Sequence, residues 1–177
     1  MMSHAQLRAA LASDISQQRR KIVAEARKWI GTPYHDNADI RGAGVDCGML
    51  LVRVFVDLEL VAPFDPRPYP RDWMMHNGEE KYLGWVKDNC AEVETPDIGD
   101  IAVFRFGRCY SHGGIVTASG LTASGRETTE RATGIALVHA YAMARCVIEE
   151  RLAQNGDLTR PIRKPRFFSL WPNDGAR

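Results

Sequence analysis

The sequence carries almost no excess of charge. Its 23 lysines and arginines face 22 aspartates and glutamates, which leaves a formal net charge of +1. A chain so close to neutral has no electrostatic attraction for nucleic acid or for an anionic membrane surface, so we expect neither as a partner. It also has no uninterrupted stretch of roughly 20 apolar residues, the length that a bilayer-spanning helix requires, and we expect no transmembrane segment.

The N-terminus lacks the apolar stretch that marks a secretory signal peptide. Segment 1–20 is polar and charged along most of its length. We therefore expect a protein that is cytoplasmic at synthesis, or one that is made there for loading into a larger assembly.

Cysteine is scarce and scattered. The 4 cysteines include no pair at the two-residue spacing that is typical of zinc sites. Without an export signal, free thiols are expected rather than disulfides, and we expect no metal and no cofactor. Cys90, Cys109 and Cys146 are interpreted as small buried hydrophobic residues. The fourth cysteine, Cys47, stands in a different local sequence.

Apolar residues at helical spacing dominate the first half of the chain. Leu7, Leu11 and Ile15, followed by a second set over 22–30, predict one long helix or two, ending at Gly31. Two further helices are predicted, over 47–60 and 77–89.

After Pro96 the spacing changes to the alternation of strands. Helices followed by strands predict an α+β domain, with N-terminal helices packed on a largely antiparallel sheet of about five strands. The whole chain, 1–177, is expected to form a single domain, with 1–20 as an N-terminal helical extension and 172–177 as a frayed tail. The predicted strands cover 101–106, 112–118, 135–140, 146–152 and 166–170.

Cys47 stands at the predicted start of the second helix. A loop containing Gly44 leads into Asp46, which is predicted to cap the helix. A thiol on the first turn faces unpaired backbone N–H groups and the positive end of the helix dipole, so we expect the pKa of Cys47 to fall below its usual value. Leu51 and Val54 follow on the same face, which turns the sulfur toward the core.

Two histidines lie where antiparallel strands would bring them together. His112 opens one predicted strand and His139 stands near the end of a later one. The small residues Gly114 and Val116, on the same face as His112, are expected to let the Cys47 helix pack closely on the sheet. The set predicts a cysteine nucleophile, with His112 taking the thiol proton and His139 fixing the tautomer of His112.

Five short segments, in order, resemble the NlpC/p60-type papain-like cysteine peptidases. They are Gly31-Thr32-Pro33-Tyr34, Asp46-Cys47-Gly48, Gly99-Asp100-Ile101, His112-Gly113-Gly114-Ile115-Val116 and Val138-His139-Ala140. The resemblance spans about 22–150, most of the chain.

The resemblance implies a papain-like fold and cleavage of γ-D-glutamyl bonds in peptidoglycan stem peptides. By position it makes Cys47 the nucleophile, His112 the base and His139 the third polar residue of the catalytic set. Tyr34 and Asp46 match positions that line the substrate pocket in this family.

One departure from the family pattern follows the cysteine directly. Many members have a serine there that helps to recognise a free amine of the stem peptide, and this chain has Gly48. The lone domain looks most like tail-associated peptidases of phages and phage-derived gene-transfer particles. The expected partners are therefore peptidoglycan stem peptides and phage-like tail proteins, and the expected location includes a phage-like particle.

Other interpretations stay open at this stage. The chain is alternatively a structural tail-tip protein that keeps the peptidase fold without catalysis, or a related thiol amidase or acyltransferase. Tyr34 is alternatively a packing aromatic, Asp46 only a helix cap, and His35 a rim residue of the pocket. Ser111 is not a serine-hydrolase nucleophile, because no glycine stands two residues before it. Loop 119–134 is either a flap over the site or an insertion.

Overall fold

The computed structural model describes residues 3–70, 73–76, 78–119 and 134–172. The helices are α1 (His4–Arg27), α2 (Cys47–Asp57), α3 (Trp73–His76) and α4 (Lys81–Lys87). The strands are β1 (Asp39–Ile40), β2 (Gly44–Val45), β3 (Ala91–Val93), β4 (Ile101–Phe106), β5 (Cys109–Ala118), β6 (Ala136–Tyr141), β7 (Cys146–Arg151) and β8 (Arg166–Ser169).

Six strands form one sheet in the order β3-β8-β4-β5-β6-β7, and every neighbouring pair is antiparallel. Strands β1 and β2 form a separate antiparallel pair. The predicted α+β class, with N-terminal helices on a largely antiparallel sheet, is confirmed. The sheet has one strand more than about five, because β3 adds three residues to the edge beside β8.

The predicted strands all appear, and four of the five have shifted ends. Strand β4 has the predicted bounds, whereas β5 begins three residues before the predicted start at His112 and pairs with β4 along its length. Helix α2 is shorter than predicted and ends at Asp57. The helix predicted over 77–89 forms only over Lys81–Lys87, and residue 77, its expected cap, lies outside the described residues.

The sheet has a different hydrophobic layer on each face. On one face, residues such as Val103, Ile115 and Val138 pack with α1, α2 and α4. On the other, Phe104 and Leu137 pack with the turn after β7. Because successive strand residues point to opposite faces, a shift of one residue exchanges these two environments.

Helix α1 is one continuous helix. Ser3 caps it, and Gln6 returns a hydrogen bond to the cap, which forms a capping box. Its first half projects from the domain, since Leu7 and Leu11 are 59% and 60% exposed. The second half packs on the domain through Arg19, Ile22, Val23 and Ala26.

Within the described ranges, every helix is too short or too polar to cross a lipid bilayer. Residues 173–177, most of the expected frayed tail, and 120–133, most of the long loop, lie outside the described residues.

A buried ion pair fixes α1 to the sheet. The Arg19 guanidinium lies 2.6 Å from Asp100 Oδ1, and the two side chains are 6% and 3% exposed. Arg19 also donates to Ser169 Oγ at 3.0 Å, so it joins the start of β4 to the end of β8. The guanidinium and the Asp97 N–H, which donates to Asp100 Oδ2 at 2.8 Å, together compensate a carboxylate that has left water.

We expect Arg19→Met to lower the free energy of unfolding by about 3–5 kcal/mol, because it strands the buried Asp100 carboxylate. The neighbouring Arg20 is exposed and bonds only to Ser16 within its own helix turn. Arg20→Met should therefore change stability by less than about 0.5 kcal/mol. Urea unfolding of the two variants measures both values, and equal losses would contradict the role given to Arg19.

Candidate active site

Asp46 caps α2 and holds three separate elements together. One carboxylate oxygen accepts the Met49 N–H at 2.8 Å, and the other accepts the Asn37 N–H at 2.7 Å. The Tyr69 hydroxyl lies 2.9 and 2.8 Å from the two oxygens. The predicted cap is confirmed, and burial raises the pKa of this carboxyl. With three donors around it, Asp46 has a structural task whatever else it does.

Cys47 is the first residue of α2, as predicted, and is partly exposed. Its thiol donates to the Ser111 carbonyl, with a sulfur–oxygen distance of 3.7 Å, and the Gly113 N–H lies close enough to the sulfur to favour the thiolate. These two peptide groups flank His112 in β5. The thiol therefore lies against the backbone that carries the predicted base.

His112 and His139 are neighbours on β5 and β6. Their Nε2 and Nδ1 atoms are 2.9 Å apart, and the residues are only 7% and 0% exposed. The antiparallel pairing that predicted this contact is confirmed. Aromatic rings enclose the pair, with Phe106 centred 5.4 Å from His112 and Tyr141 stacked 5.1 Å from His139.

The histidines lie on the sheet face opposite α2, which changes the predicted role of the glycines. A Cβ on Gly113 would collide with the Tyr82 hydroxyl and lie 3.1 Å from Leu51 Cδ1. A Cβ on Gly114 would lie 2.9 Å from the Cβ of His139. The prediction that Gly114 admits the Cys47 helix is therefore wrong. Gly113 makes room for the helices, and Gly114 makes room for His139.

Cys47 contacts the backbone next to His112. In the described part of the chain, the side chains of Cys47 and His112 form no direct hydrogen bond with each other. Cys47 opens onto a cleft, whereas the two histidine rings are buried and do not line that cleft. Because the rings lie on the other face of the sheet, a direct proton transfer requires a change in the conformation of Cys47, His112 or both, and not only a rotation of the thiol hydrogen.

Burial keeps both groups neutral. It raises the pKa of the Cys47 thiol to about 12, and the neighbouring Asp46 carboxylate adds to the effect. It lowers the pKa of His112 well below its usual value, assisted by His139 and the Arg163 guanidinium. The prediction that the helix start lowers the pKa of Cys47 is wrong for the free protein, because desolvation exceeds the effect of the backbone N–H groups.

Two polar residues behind the histidines were missed in the sequence. The second nitrogen of His139, Nε2, lies 2.9 Å from Glu150 Oε1. Asn155 donates to the same oxygen at 2.6 Å. The signal in the sequence is Glu150 itself, a carboxylate on the same face of the predicted strand as Ile148. Its contact with His139 follows only from how β6 and β7 pair.

The cleft beside Cys47 has an empty volume of about 370 Å³. Tyr34 and Asp46, the predicted substrate-binding residues, both line it. Tyr69 lines it too and was missed, because it lies in a proline-rich segment without a helical or strand pattern. The formally charged residues in the described lining are Asp36 and Asp46, and both are acidic.

Gly48 lies beside the Tyr69 hydroxyl. A Cβ at Gly48 would lie 3.2 Å from that hydroxyl oxygen and 3.6 Å from Asp46 Oδ1. The space next to the nucleophile is thus occupied by a hydroxyl from a different segment.

A larger apolar cavity of about 480 Å³ lies behind the cleft and shares Gly48, Tyr82 and Trp85 with it. Cys90 lines this cavity, and burial raises its pKa to about 12. Cys90 packs against the apolar core as predicted, but it is partly exposed rather than buried. In the ranges that the structure describes, no group of three or more His, Cys, Asp or Glu side chains is arranged to hold a metal ion.

Comparison with known proteins finds similarity among solved structures only, since no family model and no curated protein matches the chain. An N-acetylmuramoyl-L-alanine amidase from Bacteroides uniformis ATCC 8492 has 14% identity and a TM-score of 0.51, over 86% of this chain and 98% of the amidase. The NlpC/p60 domain of the peptidoglycan hydrolase SagA has 19% identity and a TM-score of 0.49, over 85% and 96%. The match to the amidase shows a shared fold.

The neutral thiol leads to a prediction for alkylation by iodoacetamide. Cys47 should react more slowly than a free cysteine at neutral pH, and its rate should keep rising at alkaline pH, because the thiolate is the reactive form. Peptide mass spectrometry after timed labelling measures the rate at each pH, with Cys47→Ser giving the background from the other cysteines. Fast labelling of Cys47 between pH 6 and 7 would show that the thiolate is already present in the free protein.

Proposed function

We propose that the protein is an NlpC/p60-type cysteine peptidase that hydrolyses peptidoglycan stem peptides, with Cys47 as the nucleophile. One observation carries the proposal. The thiol stands at a helix start, in an open cleft, against the two peptide groups that flank His112. A cysteine kept only for packing has no need of this placement.

The proposed reaction begins with transfer of the thiol proton to His112 while the sulfur attacks the carbonyl carbon of the scissile amide. Backbone N–H groups at the start of α2 are available to stabilise the oxyanion. The carbon–nitrogen bond then breaks, and His112 returns the proton to the leaving amine. Water, deprotonated by His112, releases the acyl group and restores the thiol.

The cleft supports a substrate that carries an amino group. Its charged lining residues among those described, Asp36 and Asp46, are acidic and favour a cation. A γ-D-glutamyl bond to a diamino acid has a second amino group at the end of that residue's side chain, beyond the scissile bond. Tyr34 provides an aromatic wall on the same side, in the proposed role of a substrate contact.

The proposed setting is a phage-like particle in which the domain acts on the cell wall. The exposed first half of α1 supports an assembly role, because Leu7 and Leu11 present apolar surface away from the domain. The same observation favours the second candidate function, a structural tail-tip protein that needs no catalysis. A third candidate, a thiol amidase, differs from the proposed peptidase in the bond that it hydrolyses.

A muropeptide digest followed by mass spectrometry tests the proposal. The wild-type chain, kept reduced, should release fragments cut within the stem peptide, and Cys47→Ala should lower the rate by at least about 1,000-fold. Cys90→Ala is the matched control, since it removes a thiol from the neighbouring apolar cavity. It should keep the product pattern of the wild type.

The products and the variants separate the candidate functions. Release of whole stem peptides from the sugar would identify an amidase instead. If wild type and Cys47→Ala both leave the muropeptides uncut, the hydrolase proposal fails. Particle assembly that survives Cys47→Ala, but not deletion of the domain, would then support the structural role.

A further inference from the structure

Two chains of hydrogen bonds, one from a backbone turn and one from His112, converge on the Glu150 carboxylate. The first starts at the N–H groups of Asp157 and Leu158, which donate to Asn155 Oδ1 at 3.0 and 2.9 Å. Since two backbone donors fix that atom as the amide oxygen, the other end of the side chain must be the NH₂ group. Asn155 Nδ2 therefore donates to Glu150 Oε1.

Glu150 receives a second donor at the same oxygen. The hydrogen bond from His139 lowers the pKa of Glu150, so this carboxyl is ionised at neutral pH and acts only as an acceptor. His139 must then carry a proton on Nε2, the atom 2.9 Å away. In a neutral imidazole the other nitrogen, Nδ1, is an acceptor.

The position of the proton on His139 determines which nitrogen of His112 carries a proton. When His139 is neutral, its Nδ1 atom accepts, and Nε2 of His112 must donate across the 2.9 Å between them. His112 is held neutral by burial, which leaves its Nδ1 with a lone pair. In the described part of the chain this Nδ1 has no hydrogen-bond partner, and the thiol of Cys47 lies against the adjoining peptide groups.

We propose that Glu150 is a positioning residue which, through His139, fixes His112 in the tautomer protonated on Nε2, so that Nδ1 is free to accept the thiol proton. The catalytic consequence rests on the proposed function, but the tautomer does not. Glu150 touches neither the cleft lining nor the thiol. Its effect is transmitted by the two rings.

Other charged and titratable groups surround the two rings. The Arg163 guanidinium lies 3.6 Å from the centre of the Phe106 ring, which in turn contacts His112. Asp157 pairs with Arg163 at 3.0 Å and accepts from the Tyr141 hydroxyl at 3.3 Å. In the described part of the chain, none of these groups is hydrogen-bonded to a ring nitrogen of His112 or His139, so Glu150 determines which nitrogens carry protons.

The first test reads the tautomer directly and needs no substrate. In the full chain with ¹⁵N-labelled histidine, long-range ¹H–¹⁵N spectra at neutral pH should show His112 protonated on Nε2 and bare on Nδ1. Spectra of His112→Gln and His139→Gln assign the two rings among the 5 histidines. A proton on Nδ1 of His112, or two protons on His139, would overturn the proposal.

Two substitutions at Glu150 separate acceptor from charge. Glu150→Leu removes the acceptor, and the spectra should then show a mixture of His112 tautomers. Glu150→Gln is isosteric and keeps an oxygen that Asn155 can hold, so the tautomer should persist while the negative charge is lost. Unchanged His112 spectra in Glu150→Leu, in a chain that circular dichroism shows to be folded, would overturn the proposal.

The kinetic test uses Glu149→Gln as the matched control. Glu149 precedes Glu150 on β7 but points to the opposite face, where it pairs with Arg27 at 2.7 Å. We expect Glu150→Gln to lower kcat/KM by roughly 10- to 100-fold. The acid limb of its pH profile should move to lower pH, because the imidazolium of His112 has lost a nearby negative charge.

The two variants have different expected profiles. Glu149→Gln should keep the wild-type rate and pH profile, and equal behaviour of the two variants would contradict a special role for Glu150. If the wild type hydrolyses no muropeptide, the proposed function fails, whereas the tautomer is still decided by the spectra.

Discussion

The site depends on the backbone of three residues at the centre of the sheet, Ser111 to Gly113. Strand β5 lies between β4 and β6, so its path is held by hydrogen bonds on both sides. Alternation along the strand sends Gly113 to the helix face and His112 to the opposite face. The thiol of Cys47 contacts the peptide groups of this segment. The hydrogen-bonded strand β5 therefore holds the backbone that both the sulfur and the imidazole depend on. A strand inside a sheet holds such a position more precisely than a loop does.

The burial of Cys47 and His112 disfavours a thiolate–imidazolium ion pair in the free protein. Desolvation raises the pKa of Cys47 and lowers the pKa of His112, so each group is pushed toward its uncharged form. Glu150, which is hydrogen-bonded to His139, is ionised, and it lies on a partly exposed part of β7. In the proposed reaction, charge separation therefore accompanies attack on the carbonyl, when the substrate itself takes up negative charge. A neutral thiol beside a neutral base is consistent with general-base catalysis, in which the proton moves during the chemical step.

The sequence predicted what depends on local pattern and on the pairing of two strands, and it missed what depends on the register of the edge strand or on segments without a period. Alternation located the five principal strands, and antiparallel pairing predicted the contact between His112 and His139, because the start of one strand meets the end of its neighbour. The short strand β3 has too few residues to show alternation. Glu150 acquires meaning only from the register of β6 with β7, and Tyr69 reaches the cleft from a segment without any period. The prediction of a lowered pKa for Cys47 is wrong because it includes the effect of the helix dipole and omits the desolvation of the thiol.

The glycine after the nucleophile is explained by the same dependence on distant segments. At Gly48 even a methyl group would approach the Tyr69 hydroxyl to 3.2 Å, and a serine side chain extends beyond that Cβ. The hydroxyl cannot simply move away, because it donates to the Asp46 carboxylate, and Asp46 caps the helix that carries the nucleophile. Gly48, Tyr69 and Asp46 are therefore one packing unit. The hydroxyl group beside position 48 belongs to Tyr69, which is already hydrogen-bonded to the cap. A serine at position 48 would require the Tyr69 hydroxyl to shift by a few tenths of an ångström, which would disturb its hydrogen bonds to Asp46.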